Sequence, residues 1–293
     1  MKEKQNKTKE NKQKQNKTLN NRSIMIVEQI LKHAQTPLLH IADVSGSALF
    51  QGDCLDIMPL IPDNSIDCVV TDPPYGTTAC KWDSVIPFDK MWEQLNRIVK
   101  PNGAILLFGQ EPFSSFLRCS NINNFRYDWI WDKVSTTNFA NAKKMPLSCN
   151  EVISVFYKTL PTYNPQMTEA KSDRIRPISK PKENTSETNK QASGKTRQYS
   201  DNYDNTKRFP RKIIEVSCKL AECNSLNRVH PTQKPVLLME YLIKTYTNKN
   251  ETVLDFTMGS GSSMIASKNL NRKFIGIEKE PKYYEIACQR CGF

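Results

Sequence analysis

No apolar run among the 293 residues approaches the ~18 residues of a membrane span. The first 22 residues are mostly Lys, Asn, Gln and Thr, with no apolar segment, so they do not read as a secretory signal. Disulfide spacing is also missing. Nine cysteines, an odd number scattered along the chain, read as reduced thiols, and the expected location is the cytoplasm. Cys218 with Cys223 and Cys288 with Cys291 are close pairs, but no nearby His or second pair completes either set, so no metal site is expected.

What the chain has in excess is positive charge, +12 overall. Residues 1–22 and residues 168–212 each carry +6, and the remainder is neutral. Basic segments on a neutral body suit a polyanionic partner, because each Lys or Arg that neutralises a phosphate releases counterions. A solvated tail without function is the alternative for residues 1–22.

The hydrophobic pattern reads as α/β. Ile24 to His33 has helical spacing, and Ser47 to Phe50 followed by Gly52-Asp53 looks like a strand ending in a turn. Ile66 to Thr71 is a strand. Phe88 to Val99 is an amphipathic helix with Met91, Trp92, Leu95 and Ile98 on one side, ended by Lys100-Pro-Asn-Gly103. Ala104 to Phe108 is a strand apolar enough to be buried on both faces, Pro112 to Leu117 opens a helix, and Tyr127 to Trp131 and Val152 to Tyr157 are strands. Periodicity then fails. Residues 168–212 have too few large apolar side chains to bury a core unaided. A strand at Ile213 to Val216, a helix at Val236 to Thr245, a strand at Val253 to Phe256, a helix at Ser262 to Leu270 and a strand at Phe274 to Ile277 follow.

Two stretches carry chemistry. Asp72-Pro73-Pro74-Tyr75 stands where the strand Ile66 to Thr71 stops, since prolines cannot donate to a sheet ladder. It presents a carboxylate, a backbone carbonyl and a flat ring, which suits a planar base bearing an exocyclic amine. Alone, it is equally a strand ending in a Pro-Pro turn. The second stretch is the Gly turn Gly259-Ser-Gly261 between strand and helix, with Glu278 at the tip of the next strand. Such a turn lets a ligand approach the backbone, and the acid is placed for ribose hydroxyls. Position 264, where a dinucleotide fingerprint has its third Gly, is Met, and no Gly-Lys-Ser/Thr follows, so an adenosine ligand without a pyrophosphate is favoured.

With His230-Pro-Thr-Gln-Lys-Pro235, these motifs resemble, in their order along the chain, the β-class amino DNA methyltransferases that use S-adenosyl-L-methionine. The resemblance spans residues 47–160 and 229–290. It implies a Rossmann-like, mostly parallel seven-stranded sheet with helices on both faces and an inserted target-recognition region. It divides the chain into a basic tail (1–22), a catalytic half (23–159), a target-recognition region with the polar basic insertion (160–229) and a cofactor-binding half (230–293). Asp72, Pro73, Pro74 and Tyr75 take the catalytic role. Asp255, Phe256, Gly259 and Gly261 surround the methionine part of the cofactor, Glu278 holds the ribose, Asp53 lies near the adenine, and Thr232, Gln233, Lys234 and Pro235 close the pocket. Thr257 stands where the family often has Pro.

The implied reaction is methyl transfer to N6 of an adenine flipped out of duplex DNA. Cytosine N4 is the alternative, although the family's cytosine members usually have Ser at the place of Asp72. Carbon-5 methylation is disfavoured, because none of the 17 prolines precedes a Cys. Methylation of RNA or of a protein glutamine, and a non-catalytic DNA-binding module on the same fold, are further alternatives. Duplex DNA is the expected partner, with a cognate restriction endonuclease and a second copy of the chain as additional candidates.

Overall fold

The computed structural model describes residues 23–34, 39–43, 46–78, 80, 83–137, 139–170, 204, 206–217 and 229–293. The basic tail 1–22, most of the insertion 168–212, and Cys218 and Cys223 lie outside the described residues. Along the first half run a helix over residues 23–33 (α1), strands His40–Ala42 (β1) and Ala48–Gln51 (β2), and the short helix Cys54–Ile57 (α2). Strand Ile66–Thr71 (β3), helix Phe88–Ile98 (α3), strand Val99–Gly109 (β4), helix Phe113–Ser120 (α4) and strands Phe125–Thr137 (β5) and Ser148–Phe156 (β6) follow. Next come the short strands Thr168–Glu169 (β7), Lys207–Arg208 (β8) and Ile213–Glu215 (β9). The last part holds helix Val236–Tyr246 (α5), strand Thr252–Asp255 (β10), helix Ser262–Asn269 (α6), strand Lys273–Glu278 (β11) and helix Pro281–Cys291 (α7).

The main sheet has the order β1-β2-β11-β10-β3-β4-β6-β5-β9. Strands β2, β11, β10, β3 and β4 run parallel to one another, while β6 runs antiparallel to both β4 and β5. The expected seven strands are those from β2 to β5. Two short ones extend them: β1 pairs antiparallel with β2, and β9 pairs parallel with β5. From β3 the chain moves outward to β4, and from β10 it moves the opposite way to β11. Between them lies the switch point where the carboxyl ends of such a sheet open a crevice.

Strand side chains alternate between two apolar layers. Val69, Leu254 and Ile275 join Ile57, Trp92, Leu95 and Ile98 on one face. On the other, Cys68, Val70, Leu106 and Val253 meet Leu238, Met239 and Leu242 of α5. Burial on both faces is why Cys68 to Val70 of β3 and Ala104 to Phe108 of β4 read as continuous apolar runs. The expected helix-ending turn at Lys100-Pro-Asn-Gly103 lies inside β4. Ile66 pairs with Val99 but Cys68 with Ala104, so those residues loop out of register, and Gly103 is required because a Cβ there would stand 2.9 Å from the Asp67 carbonyl oxygen.

By contacts the chain divides into residues 1–164 with 212–293, and residues 165–211. The second unit is narrower than the expected region 160–229. Its described part is an exposed two-stranded ribbon, with Thr168 opposite Arg208 and Ala170 N–H donating to Thr206 O at 2.6 Å. Ile213 returns to the main sheet opposite Ile130. Among the described residues no helix is long and apolar enough to cross a membrane.

Candidate active site

At the carboxyl ends of β3 and β10, hydrogen bonds join the two motifs side by side. Thr71 Oγ1 donates to Asp255 Oδ1 at 3.0 Å, and Phe256 N–H donates back to Thr71 Oγ1 at 3.2 Å. One step further, Thr257 Oγ1 donates to the Asp72 carbonyl oxygen at 3.1 Å. The residue standing in place of the family's Pro therefore ties the Gly-turn loop to the acidic tetrapeptide.

Above these strands is a cavity of about 630 Å³. Asp72, Pro73, Pro74 and Tyr75 line it, as do Asp53, Asp255, Phe256, Gly259, Glu278, Thr232, Gln233 and Lys234. Gly261 and Pro235 do not. Gly261 is the left-handed cap of α6 (φ 80°), and a Cβ there would come within 3.1 Å of Ala287 Cβ, so it serves close packing behind the wall. Pro235 caps the start of α5.

Asp255 is buried at 3% exposure, with its carboxylate held by Thr71, by Ser263 Oγ and by the Thr257 N–H at 3.2 Å. Burial pushes its carboxyl up to about 7; these three donors pull against that and the charge of Asp72 adds to it. Glu278 accepts from Gly259 N–H and Glu280 N–H, each at 2.8 Å, which fixes the Gly turn against the end of β11. Asp53 caps α2 through Leu55 N–H at 2.9 Å and meets Lys279 Nζ at 3.0 Å, and its carboxyl lies below the usual range because these bonds outweigh partial burial.

Tyr75 donates its hydroxyl to Asp72 Oδ1 at 2.5 Å, and its ring packs 5.0 Å from that of Phe113. Lys234 Nζ is hydrogen-bonded to Asp72 Oδ2 and lies 3.2 Å from Glu151 Oε2, while Glu151 Oε1 is held by Lys133 at 2.6 Å. Burial raises the Asp72 carboxyl, the Lys234 ammonium opposes this, and Glu151 adds to it. His230 lines the same cavity against the Tyr283 ring, 4.1 Å between centroids. Its Nδ1 accepts from Thr232 N–H at 3.2 Å, which leaves the ring proton on Nε2, and burial beside Lys234 pushes its pKa down to about 4.

Sequence reasoning missed Glu151, Lys133, Thr71 and Ser263. The signal for Glu151 is an acid heading the mostly apolar run Val152 to Phe156, two places before Ile153, the first side chain of that strand to enter the sheet core. Among the described residues no group of three or more His, Cys, Asp or Glu is gathered for a metal.

Comparison with known proteins bears on the family and the fold. The Type II methyltransferase M.HpaI of Haemophilus parainfluenzae is 28% identical over 244 residues, covering 78% of this chain and 69% of its own. The fold superposes on the M1.HpyAVI–SAM complex with a TM-score of 0.56 at 23% identity, covering 84% of this chain and 98% of that one. On the cytosine-N4-specific PvuII DNA methyltransferase the TM-score is 0.57 at 18% identity, with 83% and 85% covered. The family model described as DNA methylase, which embraces N6 and N4 methyltransferases, matches residues 66–289. From the strand that presents Asp72 to the helix behind Gly261, the chain belongs to that DNA methylase family.

Proposed function

We propose that this protein transfers a methyl group from S-adenosyl-L-methionine to N6 of an adenine flipped out of duplex DNA. The observation that carries the proposal is that one cavity joins the tetrapeptide Asp72 to Tyr75 with the Gly259 turn, and Thr257 ties the two together. The residues present suit that cofactor. At one end of the cavity, Glu278 is fixed by Gly259 and Glu280, and Asp53 is fixed by Leu55 and Lys279. Phe256 supplies an apolar wall. When bound, S-adenosyl-L-methionine supplies an electrophilic methyl on a sulfonium sulfur.

The chain's own residues prepare the amine. An aromatic amine delocalises its lone pair into the ring and is a poor nucleophile. Hydrogen bonds from its two protons to the Asp72 carboxylate and the Pro73 carbonyl favour a more tetrahedral nitrogen, with acceptors placed in advance of the reaction. Tyr75 offers a stacking surface worth about 1–3 kcal/mol per base. Pro73 and Pro74 hold the segment extended so that carboxylate, carbonyl and ring stay together.

Cytosine N4 is the second reading, favoured by the fold shared with the PvuII enzyme. Transfer of a tritiated methyl group to DNA, RNA and protein, followed by separation of the labelled nucleosides, tests both. Label on N6-methyladenine supports the proposal, label on N4-methylcytosine supports the second reading, and label on RNA or protein alone refutes both. Asp72→Ala is expected to abolish transfer while cofactor affinity survives, and unchanged turnover would sink the role given to Asp72.

A further inference from the structure

Four charged side chains alternate in sign in a row that begins in the tetrapeptide: Asp72, Lys234, Glu151 and Lys133. Their side chains are 17, 6, 11 and 16% exposed. They come from four separate places, the end of β3, the stretch ahead of α5, β6 and β5. Lys234 Nζ also lies 5.3 Å from the centre of the Phe108 ring, and Lys133 Nζ 5.4 Å from that of Trp131, so both ammonium groups are cradled by aromatic faces as well as carboxylates.

Asp72 can accept a hydrogen bond from a base amine at either oxygen only while it is ionised; the neutral acid presents a donor at one of them. Its surroundings otherwise disfavour charge, since it is buried with Glu151 nearby. We infer that Lys234, anchored by Glu151, is a positioning residue that keeps Asp72 a charged acceptor fixed toward the cavity. Lys133 completes the set by compensating Glu151, leaving the four groups neutral in sum. This rests on the methyl-transfer reading above and adds a role for Lys234 beyond closing a cofactor pocket.

Other groups face the cluster. Tyr75 donates to Asp72, Asp255 lies close enough to feel its charge, and His230 sits beside Lys234 as a neutral ring. None of them supplies a cation, so among the described residues the opposing charge at Asp72 is that of Lys234.

The test follows the Asp72 carboxyl carbon by NMR in the full chain labelled at aspartate, with the signal assigned by its loss in Asp72→Asn. Lys234→Gln should raise the titration midpoint by about one pH unit or more, as removal of an opposite charge at this range does. Glu151→Gln removes a like charge and should lower the midpoint. Lys234→Arg should restore it towards the unsubstituted protein. The acid limb of kcat for DNA methylation should move in the same directions, whereas a merely structural role would lower kcat at every pH without moving the limb. An unmoved midpoint in Lys234→Gln, or both Gln variants moving it the same way, overturns the inference. If Lys234→Gln does not fold, Lys234→Met, which keeps an unbranched stem beside Phe108 and removes the charge, decides, and a midpoint unmoved there overturns the inference equally. Failure of the unsubstituted protein to methylate DNA would instead strike the underlying reading, and the NMR midpoints still decide whether Lys234 holds Asp72 ionised.

Discussion

Replacing Asp255 by Asn should change how stability depends on pH. Asp255 is buried at the end of β10, and burial holds its carboxyl at about 7 against 3.8 for the free side chain. A carboxyl raised in the folded state binds its proton more tightly there than in the unfolded chain. Its contribution to stability is thus complete below the unfolded value and is lost as pH rises through the folded one. With those two values, the linkage integral between about pH 5 and about pH 8 amounts to roughly 2–3 kcal/mol of stability lost as pH rises. Asn mimics the protonated acid, keeps an acceptor for Thr71 and does not titrate, so Asp255→Asn should lack this loss. Urea unfolding of both proteins at the two pH values isolates the group, because every other titration cancels in the double difference. The difference in unfolding free energy should shift in favour of the Asn variant by roughly 2–3 kcal/mol on going to the higher pH. A double difference near zero would refute the account of a carboxyl raised by burial.

Gly261→Val should lower stability by about 2–4 kcal/mol, since a β-branched residue is strained at that left-handed φ and its Cβ would crowd Ala287, and a thermal melt reads the loss. Tyr246→Phe removes the hydroxyl that Trp129 Nε1 donates to and that pairs with Tyr127, both at 2.8 Å. The stranded indole N–H should cost about 1–3 kcal/mol in urea unfolding. Deleting residues 168–212 should flatten the salt dependence of DNA affinity by roughly 0.9 in the log–log slope for each phosphate no longer neutralised, and an unchanged slope would mark the segment as a passive linker.

How much of this was legible in the residues depends on whether the signal is local. The helix Phe88–Ile98 can be read because Met91, Trp92, Leu95 and Ile98 recur at helical spacing, and all four are buried. Asp72 and Gly259 can be read because Pro and Gly punctuate the backbone beside them. Strand β1 is not legible: His40, Ile41 and Ala42 have no alternation, and only pairing with β2 makes them a strand. Helix α7 carries Pro281 at its start and Gly292 in a left-handed cap, but its buried residues Tyr284, Ala287 and Cys291 are sparse among Lys, Glu, Gln and Arg. The charged cluster is hidden for another reason. Glu151 and Lys234 are far apart in sequence, and no local pattern announces that two strands and a loop will converge on Asp72.

The bond from Thr257 to the Asp72 carbonyl, and that from Thr71 to Asp255, span more than a hundred and eighty residues of sequence yet cross only from one strand to the next. The bonds that join the two halves at the pocket run across the sheet rather than along the peptide. A polypeptide cut within residues 165–211 would yield one piece ending after β6 and another carrying β9 to β11. Each piece would bring one of the two strands that zip side by side. The pocket is therefore a property of lateral registry, set where Val253 lies opposite Cys68 and Leu254 opposite Val69.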